Sequence, residues 1–127
     1  MATERQRRGA VSEAEAATYL EGLGWRVLTR NLRVGRDEID ILAVDAGPPI
    51  TLVVVEVRGL TTAAFGSPEE RVDRHKVSRL YRALAGLGGA FESDEGVGRL
   101  PRRVDLVIVD RRSGRPEIRH FRALEPP

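Results

Sequence analysis

The 127-residue chain contains no cysteine. That excludes disulfides, thiolate zinc sites and cysteine nucleophiles. It also lacks any apolar run near the ~18–20 residues that a membrane span requires. The opening segment MATERQRRGA carries basic residues with no apolar stretch behind them, so it does not read as a secretory signal. The expected setting is the cytoplasm. Lysine is nearly missing: of 21 basic residues, only Lys76 is a lysine. Coding bias in a GC-rich genome accounts for that skew as well as any function does. Charge of one sign is scarce too, with a net charge of only +2 despite a pI of 9.6. A global positive field is therefore a weak pointer to nucleic acid. Basic residues cluster locally instead, at 5–8 (RQRR), 99–103 (RLPRR) and 111–115 (RRSGR). Such clusters bind phosphates or simply form a solvated surface.

The length fits one domain, burying roughly two-thirds of the surface its unfolded chain exposes. Residues 1–9 are expected to form a flexible tail. Ser12 with Glu15 fits a capping box, and apolar spacing then predicts a first helix over about 12–23. Alternation predicts strands over 25–33 and 38–45. Residues 46–49 (AGPP) read as a hairpin loop. The stretch TLVVVEVRGL, 51–60, follows as a third strand. Its near-continuous apolarity points to a central position covered on both faces. The second helix starts at either Ser67 or Asp73 and carries an apolar stripe of Val77, Leu80, Tyr81, Leu84 and Leu87. Residues 88–101 read as a mobile loop. A fourth strand covers 103–110 and an edge strand 117–123. The order is α-β-β-β-α-β-β, with no internal repeat.

Asp40 and Glu56 are the anomalies, because both are carboxylates inside apolar strands. A buried carboxylate is costly unless something neutralises it. On neighbouring strands the two would lie ~4.5–5.5 Å apart at Cβ if directly opposed. They would repel and raise one pKa. A divalent cation removes that conflict, and oxygen ligands without His or Cys suit Mg²⁺ or Mn²⁺. A buried salt bridge is the alternative, Glu56 with Arg58 or Asp40 with an arginine of the first strand. The shared face has a geometric condition. A four-residue loop would pair Asp40 with Val55 and turn Glu56 away, so an odd loop or a bulge is required. Glu13, in the first turn of the expected helix, is accounted for by the helix dipole alone. Asp105 reads as an ordinary charge near a strand start. His75 and His120 read as surface residues.

The chain as a whole resembles the YraN-like family of uncharacterised bacterial proteins. The resemblance rests on Glu13 with 16–20 (AATYL), 29–33 (TRNLR), 38–43 (EIDILA), 52–57 (LVVVEV), 65–68 (FGSP), Lys76 with Arg79 and Leu80, and 103–107 (RVDLV). That family is placed in the PD-(D/E)xK nuclease superfamily, near the archaeal Holliday-junction resolvases. The resemblance implies an α/β, restriction-endonuclease-like core with a mixed five-stranded sheet flanked by helices. It implies a metal-dependent endonuclease acting on DNA, including branched DNA. Asp40 and Glu56 match the catalytic, metal-holding carboxylates, and Glu13 matches a helix glutamate that reaches the metal. The metal activates a water for phosphodiester hydrolysis. Related resolvases act as dimers, and a two-fold homodimer would supply the second active site a junction requires.

The pattern departs at Arg58, where the family has lysine. Arginine can clamp a phosphate but cannot act as a base. Arg58, Lys76 and Arg33 are the candidate nucleic-acid contacts. Lys76 either replaces the missing lysine or is an exposed helix lysine that meets phosphates at most. Two further departures are Gly59-Leu60, where the family commonly has an arginine, and Asp37, where it usually has glycine. Two other readings stay open: a nucleic-acid-binding protein with little hydrolysis, and an interaction module with salt-bridged carboxylates.

Overall fold

Period-two alternation builds the strands and apolar helical spacing builds the helices, in a computed structural model that describes residues 3–60, 74–87 and 99–126. In chain order these are α1 (Glu4–Gly22), β1 (Arg26–Val34), β2 (Asp37–Asp45), β3 (Thr51–Leu60), α2 (Arg74–Gly86), β4 (Arg102–Asp110) and β5 (Glu117–Phe121). The order of elements is the one the sequence predicts. The sheet runs β1-β2-β3-β4-β5, with β3 in the middle and β5 at an edge. Among the described strands, β3 and β4 are parallel and the other pairs antiparallel. A parallel pair needs a crossover, and α2 lies within it. The expected loop after Leu60, both expected starts of the second helix, and residues 88–98 of the expected mobile loop lie outside the described residues.

Among the described residues, each face of the sheet carries one helix. On the first face, Ala16, Ala17 and Leu20 of α1 pack on Ile41, Ala43, Val53, Val55, Val107 and Val109. On the second, Leu80, Ala83, Leu84 and Leu87 pack on Ile39, Leu42, Leu52, Val54 and Val104. Leu52, Val53, Val54 and Val55 are all fully buried, which is why β3 reads as an unbroken apolar run. Each such side chain contributes about 1.5–3 kcal/mol relative to exposure.

Two expectations for the N-terminus are corrected. Residues 4–9 are not a tail but the first turns of α1. The capping box is built by Thr3 and Gln6, not by Ser12 and Glu15: Gln6 N–H donates to Thr3 Oγ1 at 3.1 Å, and Thr3 N–H to Gln6 Oε1 at 2.8 Å. Both segments match the same pattern, and the upstream one takes the helix start. Ser12 instead sits buried in mid-helix against Gly59 of β3. A Cβ at position 59 would lie 2.3 Å from Ser12 Oγ, so glycine there lets α1 approach the sheet. Gly59→Ala should therefore cost about 1–3 kcal/mol in urea denaturation, the usual penalty for overpacking. The same change in a Ser12→Ala background should cost clearly less, because the clashing oxygen is gone. Equal costs in both backgrounds would remove this account of the glycine.

The β2–β3 loop decides the site. Asp45 pairs with Thr51, leaving residues 46–50 as a five-residue connection, and Ile50 is exposed rather than in the strand. Gly47 takes φ +76°, and a Cβ there would overlap the backbone of Pro49. This is the odd loop that the shared carboxylate face requires.

Candidate active site

The β2–β3 ladder runs from Asp45–Thr51 to Ile41–Val55 and stops. Asp40 and Glu56 are the next residues past its end. There the Asp40 carboxylate accepts the Val57 N–H at 2.9 Å, a bond that helps fix the carboxyl group in place. Glu56 lies nearby on β3, close enough for the two carboxyl groups to share a proton. Glu56 is only 4% exposed. Burial, and then the charge of Asp40, pushes its pKa up to about 7. Burial raises Asp40 as well, opposed by the Val57 N–H and by Lys76. The site thus pairs a half-buried Asp40 with a buried Glu56 that holds its proton to near neutrality.

Two cations face it. Lys76 Nζ lies 3.5 Å from Glu56 Oε1, reaching in from the first turn of α2. Arg58 Nε lies 3.8 Å from the same oxygen, from two residues along β3. Lys76 is therefore not the merely exposed helix lysine of the bland sequence reading; its side chain is 29% exposed and turned toward Glu56. The salt-bridge alternative is realised only weakly. Arg58 Nε and Glu56 Oε2 are both buried and make no hydrogen bond. A carboxylate satisfied by an ion pair would titrate low, whereas Glu56 titrates high. Among the described residues, no ion pair joins Asp40 to an arginine of β1.

The expected third ligand is placed differently. Glu13 feels the charge of Asp40, and burial is the main cause of its raised pKa, but its side chain bonds to Asn31. Among the described residues, no three His, Asp or Glu side chains converge as a metal-ligand group. The trio of Glu13, Asp40 and Glu56 is thus not assembled in this conformation. Asn31, with φ +54° inside β1, was not singled out from the sequence; asparagine is among the residues that most readily take a positive φ. Arg33 is exposed on β1, in register with Glu38. It is outside the carboxylate pair.

The donor set fits a hard divalent cation. Two carboxylates and an unpartnered buried oxygen, Glu56 Oε2, are what Mg²⁺ commonly takes from protein, its other positions being filled by water and phosphate.

Much of the other charge is structural. Asp105 is fully buried and accepts from Arg103 Nε at 2.7 Å, His120 Nε2 at 2.8 Å and Ala123 N–H at 3.0 Å. His120 Nδ1 lies 3.0 Å from Tyr19 Oη, and Trp25 stacks edge-on to the same ring. Asp105 is thus no ordinary strand-start charge and His120 no surface residue; His75 is exposed as expected. Two of the three basic clusters are likewise largely occupied. Arg102 donates to Leu84 O, Arg103 also pairs with Asp45, Arg111 with Glu15, and Arg112 with Asp110.

Comparison with known proteins bears on the family. A chain from Arthrobacter sp. (strain FB24), described as "UPF0102 protein", is 39% identical over 117 residues, covering 91% of this chain and 93% of that one. Another, from Mycolicibacterium gilvum, is 40% identical over 114 residues, 89% of each chain. Among solved structures, a repair endonuclease from Pyrococcus abyssi gives a TM-score of 0.46 at 19% identity; the match spans 93% of this chain and 47% of that one. No described helix is long and apolar enough to cross a membrane. The pattern described as "Uncharacterised protein family UPF0102" matches residues 12–109, so the chain belongs to that family, the YraN-like one its motifs resemble.

Proposed function

We propose that this protein is a Mg²⁺- or Mn²⁺-dependent endonuclease acting on DNA, and so works in the cytoplasm. One observation carries the reading. A half-buried Asp40 stands beside a buried Glu56, with Glu56 raised to about 7 and one of its oxygens unpartnered. Such a pair is unfavourable for folding unless it serves a ligand, and perturbed carboxylates cluster at functional sites.

Asp40 and Glu56 would hold the metal, and Glu13 would join them only on leaving Asn31. When bound, the metal supplies a more acidic water and shields the phosphate charge. The chain's own groups do the rest. The Val57 N–H fixes Asp40. Lys76 brings a compact ammonium to the pair, where it offsets negative charge building on the phosphate. Arg58 cannot give up a proton, so it acts as a phosphate clamp. In the hydrolysis a water oxygen bonds to phosphorus and the ester bond breaks. The water loses a proton and the leaving oxygen gains one.

The test is a panel of duplex, single-stranded, flap and four-way DNA incubated in Mn²⁺. Wild type should cut at least one substrate and Glu56→Ala none. Cleavage that survives Glu56→Ala would point to a contaminant. Paired nicks in the four-way DNA would further require a homodimer, checked by light scattering. Lys76→Met should slow cleavage by about 10²–10³, the usual loss for one charge-stabilising donor, and Arg58→Met by less. Adding Arg58→Lys to Lys76→Met should restore part of the rate. If Lys76→Met cuts as fast as wild type, the lysine has no part in the chemistry.

A further inference from the structure

Beside the carboxylate pair lie two contiguous depressions that the proposed hydrolysis touches through Lys76. One, of about 200 Å³, is lined by Arg36, Asp37, Glu38, Lys76, Arg79 and Leu80. The other, of about 410 Å³, is lined by Arg36, Asp37, His75, Ser78, Arg79 and Arg82. Arg36, Asp37 and Arg79 belong to both, so the two form one groove. Lys76 lines its near end and also faces Glu56. The groove therefore starts at the carboxylate site and runs between α2 and the β1–β2 turn.

Its charge is built. Arg82 forks onto Asp37, with Nε to Oδ2 at 2.8 Å and Nη2 to Oδ1 at 2.7 Å. The fork holds the Asp37 carboxyl below the usual carboxylate range. That carboxylate is consequently neutralised within the wall rather than repelling an anion. The larger depression then presents three guanidinium groups to one carboxylate. Arg36 and Arg79, which line the groove with it, are both exposed. Asp37, which departs from the family's usual glycine, thereby acquires a role: it anchors Arg82 and sets the groove wall.

We propose that this groove seats the backbone phosphate next to the one being cut, between Arg36 and Arg79. The inference rests on the nuclease reading for its substrate, and it adds a requirement. The strand must continue past the cut on the α2 side, so substrates ending at the cleaved bond are poor ones. Two exposed guanidinium groups lining one groove suit the forked recognition of a phosphate. The cations that face Glu56 are Lys76 and Arg58, which leaves the chemistry to those groups.

The test is DNA binding without metal. A fluorescent duplex is titrated in EDTA at several salt concentrations, by anisotropy, with wild type and with Arg36→Gln/Arg79→Gln. Each phosphate contact contributes about 0.9 to the slope of log affinity against log salt. The double variant should lose about one unit of slope, for the one phosphate seated, and about tenfold in affinity. Arg26→Gln, at the other end of β1, should keep the wild-type slope. In Mn²⁺, the double variant should raise KM far more than it lowers kcat. An unchanged slope, or no DNA binding by wild type, overturns the phosphate seat. Mn²⁺ binding at Glu56 is scored separately by calorimetry, so the nuclease reading can stand while the seat falls, or the reverse. Inorganic phosphate that displaces DNA at equimolar concentration would overturn the backbone assignment in favour of a free anion.

Discussion

Glu56→Gln should make the metal-free protein more stable at pH 8 and make it indifferent to Mn²⁺. The carboxyl of Glu56 titrates near 7 in the fold, against 4.5 when unperturbed. For an acid shifted upward, folding favours the protonated form. The stability this contributes is complete below about 4.5 and disappears as pH rises through about 7. Above that, the folded protein carries a charge that it holds poorly. Glutamine keeps the shape and never ionises. The gain at pH 8 should approach 3 kcal/mol at about 1.4 kcal/mol per pH unit, reduced because Lys76 and Arg58 lose an anionic neighbour. In a melting experiment this is an increase of several degrees, shrinking to nothing near pH 4.5. Wild type at pH 8 should instead gain about 2.7 kcal/mol from Mn²⁺ at a hundred times its Kd. That gain should weaken below pH 7, because the cation must displace a proton. A Glu56→Gln protein that is less stable at pH 8, or still stabilised by Mn²⁺, would make Glu56 a structural residue.

Asp105→Ala should be the most damaging single change for folding, at about 3–5 kcal/mol, the range for breaking a buried charge pair from one side. Burial opposes ionisation of Asp105, but His120 and Arg103 outweigh it and hold its pKa low. Removing the carboxylate strands the Arg103 guanidinium, the His120 ring and the Ala123 N–H together. Urea titration should show the loss at pH 7. For an acid shifted downward, the contribution is present above about 3.8 and is lost as pH falls further, so wild type and variant should converge in strong acid. Asp105 lies on the α1 face of the sheet and Glu56 faces α2. Residual folded Asp105→Asn should therefore still bind Mn²⁺. A cost under 1 kcal/mol would mean that the network contributes little.

These two acids also mark what was legible. Glu56 stood out because its neighbours in sequence are apolar, and burial of a strand interior follows from composition alone. Asp105 has the same surroundings, yet besides Arg103 on its own strand its partners come from β5 and the chain after it. Tyr19 and His120 are 101 positions apart, a distance no local pattern spans. The helix start was ambiguous for a different reason. Two segments satisfy one capping rule, and packing of Ser12 against Gly59 settles which is interior.

By itself the sequence determined the order of elements, the central place of β3 and the presence of two misfit carboxylates, because each follows from spacing along one strand or helix. Tertiary structure decided the rest. The five-residue turn sets the parity that brings Asp40 to Glu56, since one residue more or less would face them apart. The docking of α2 brings the chain's only lysine to them. Register and helix docking depend on the balance of the whole core, which no short window of residues contains.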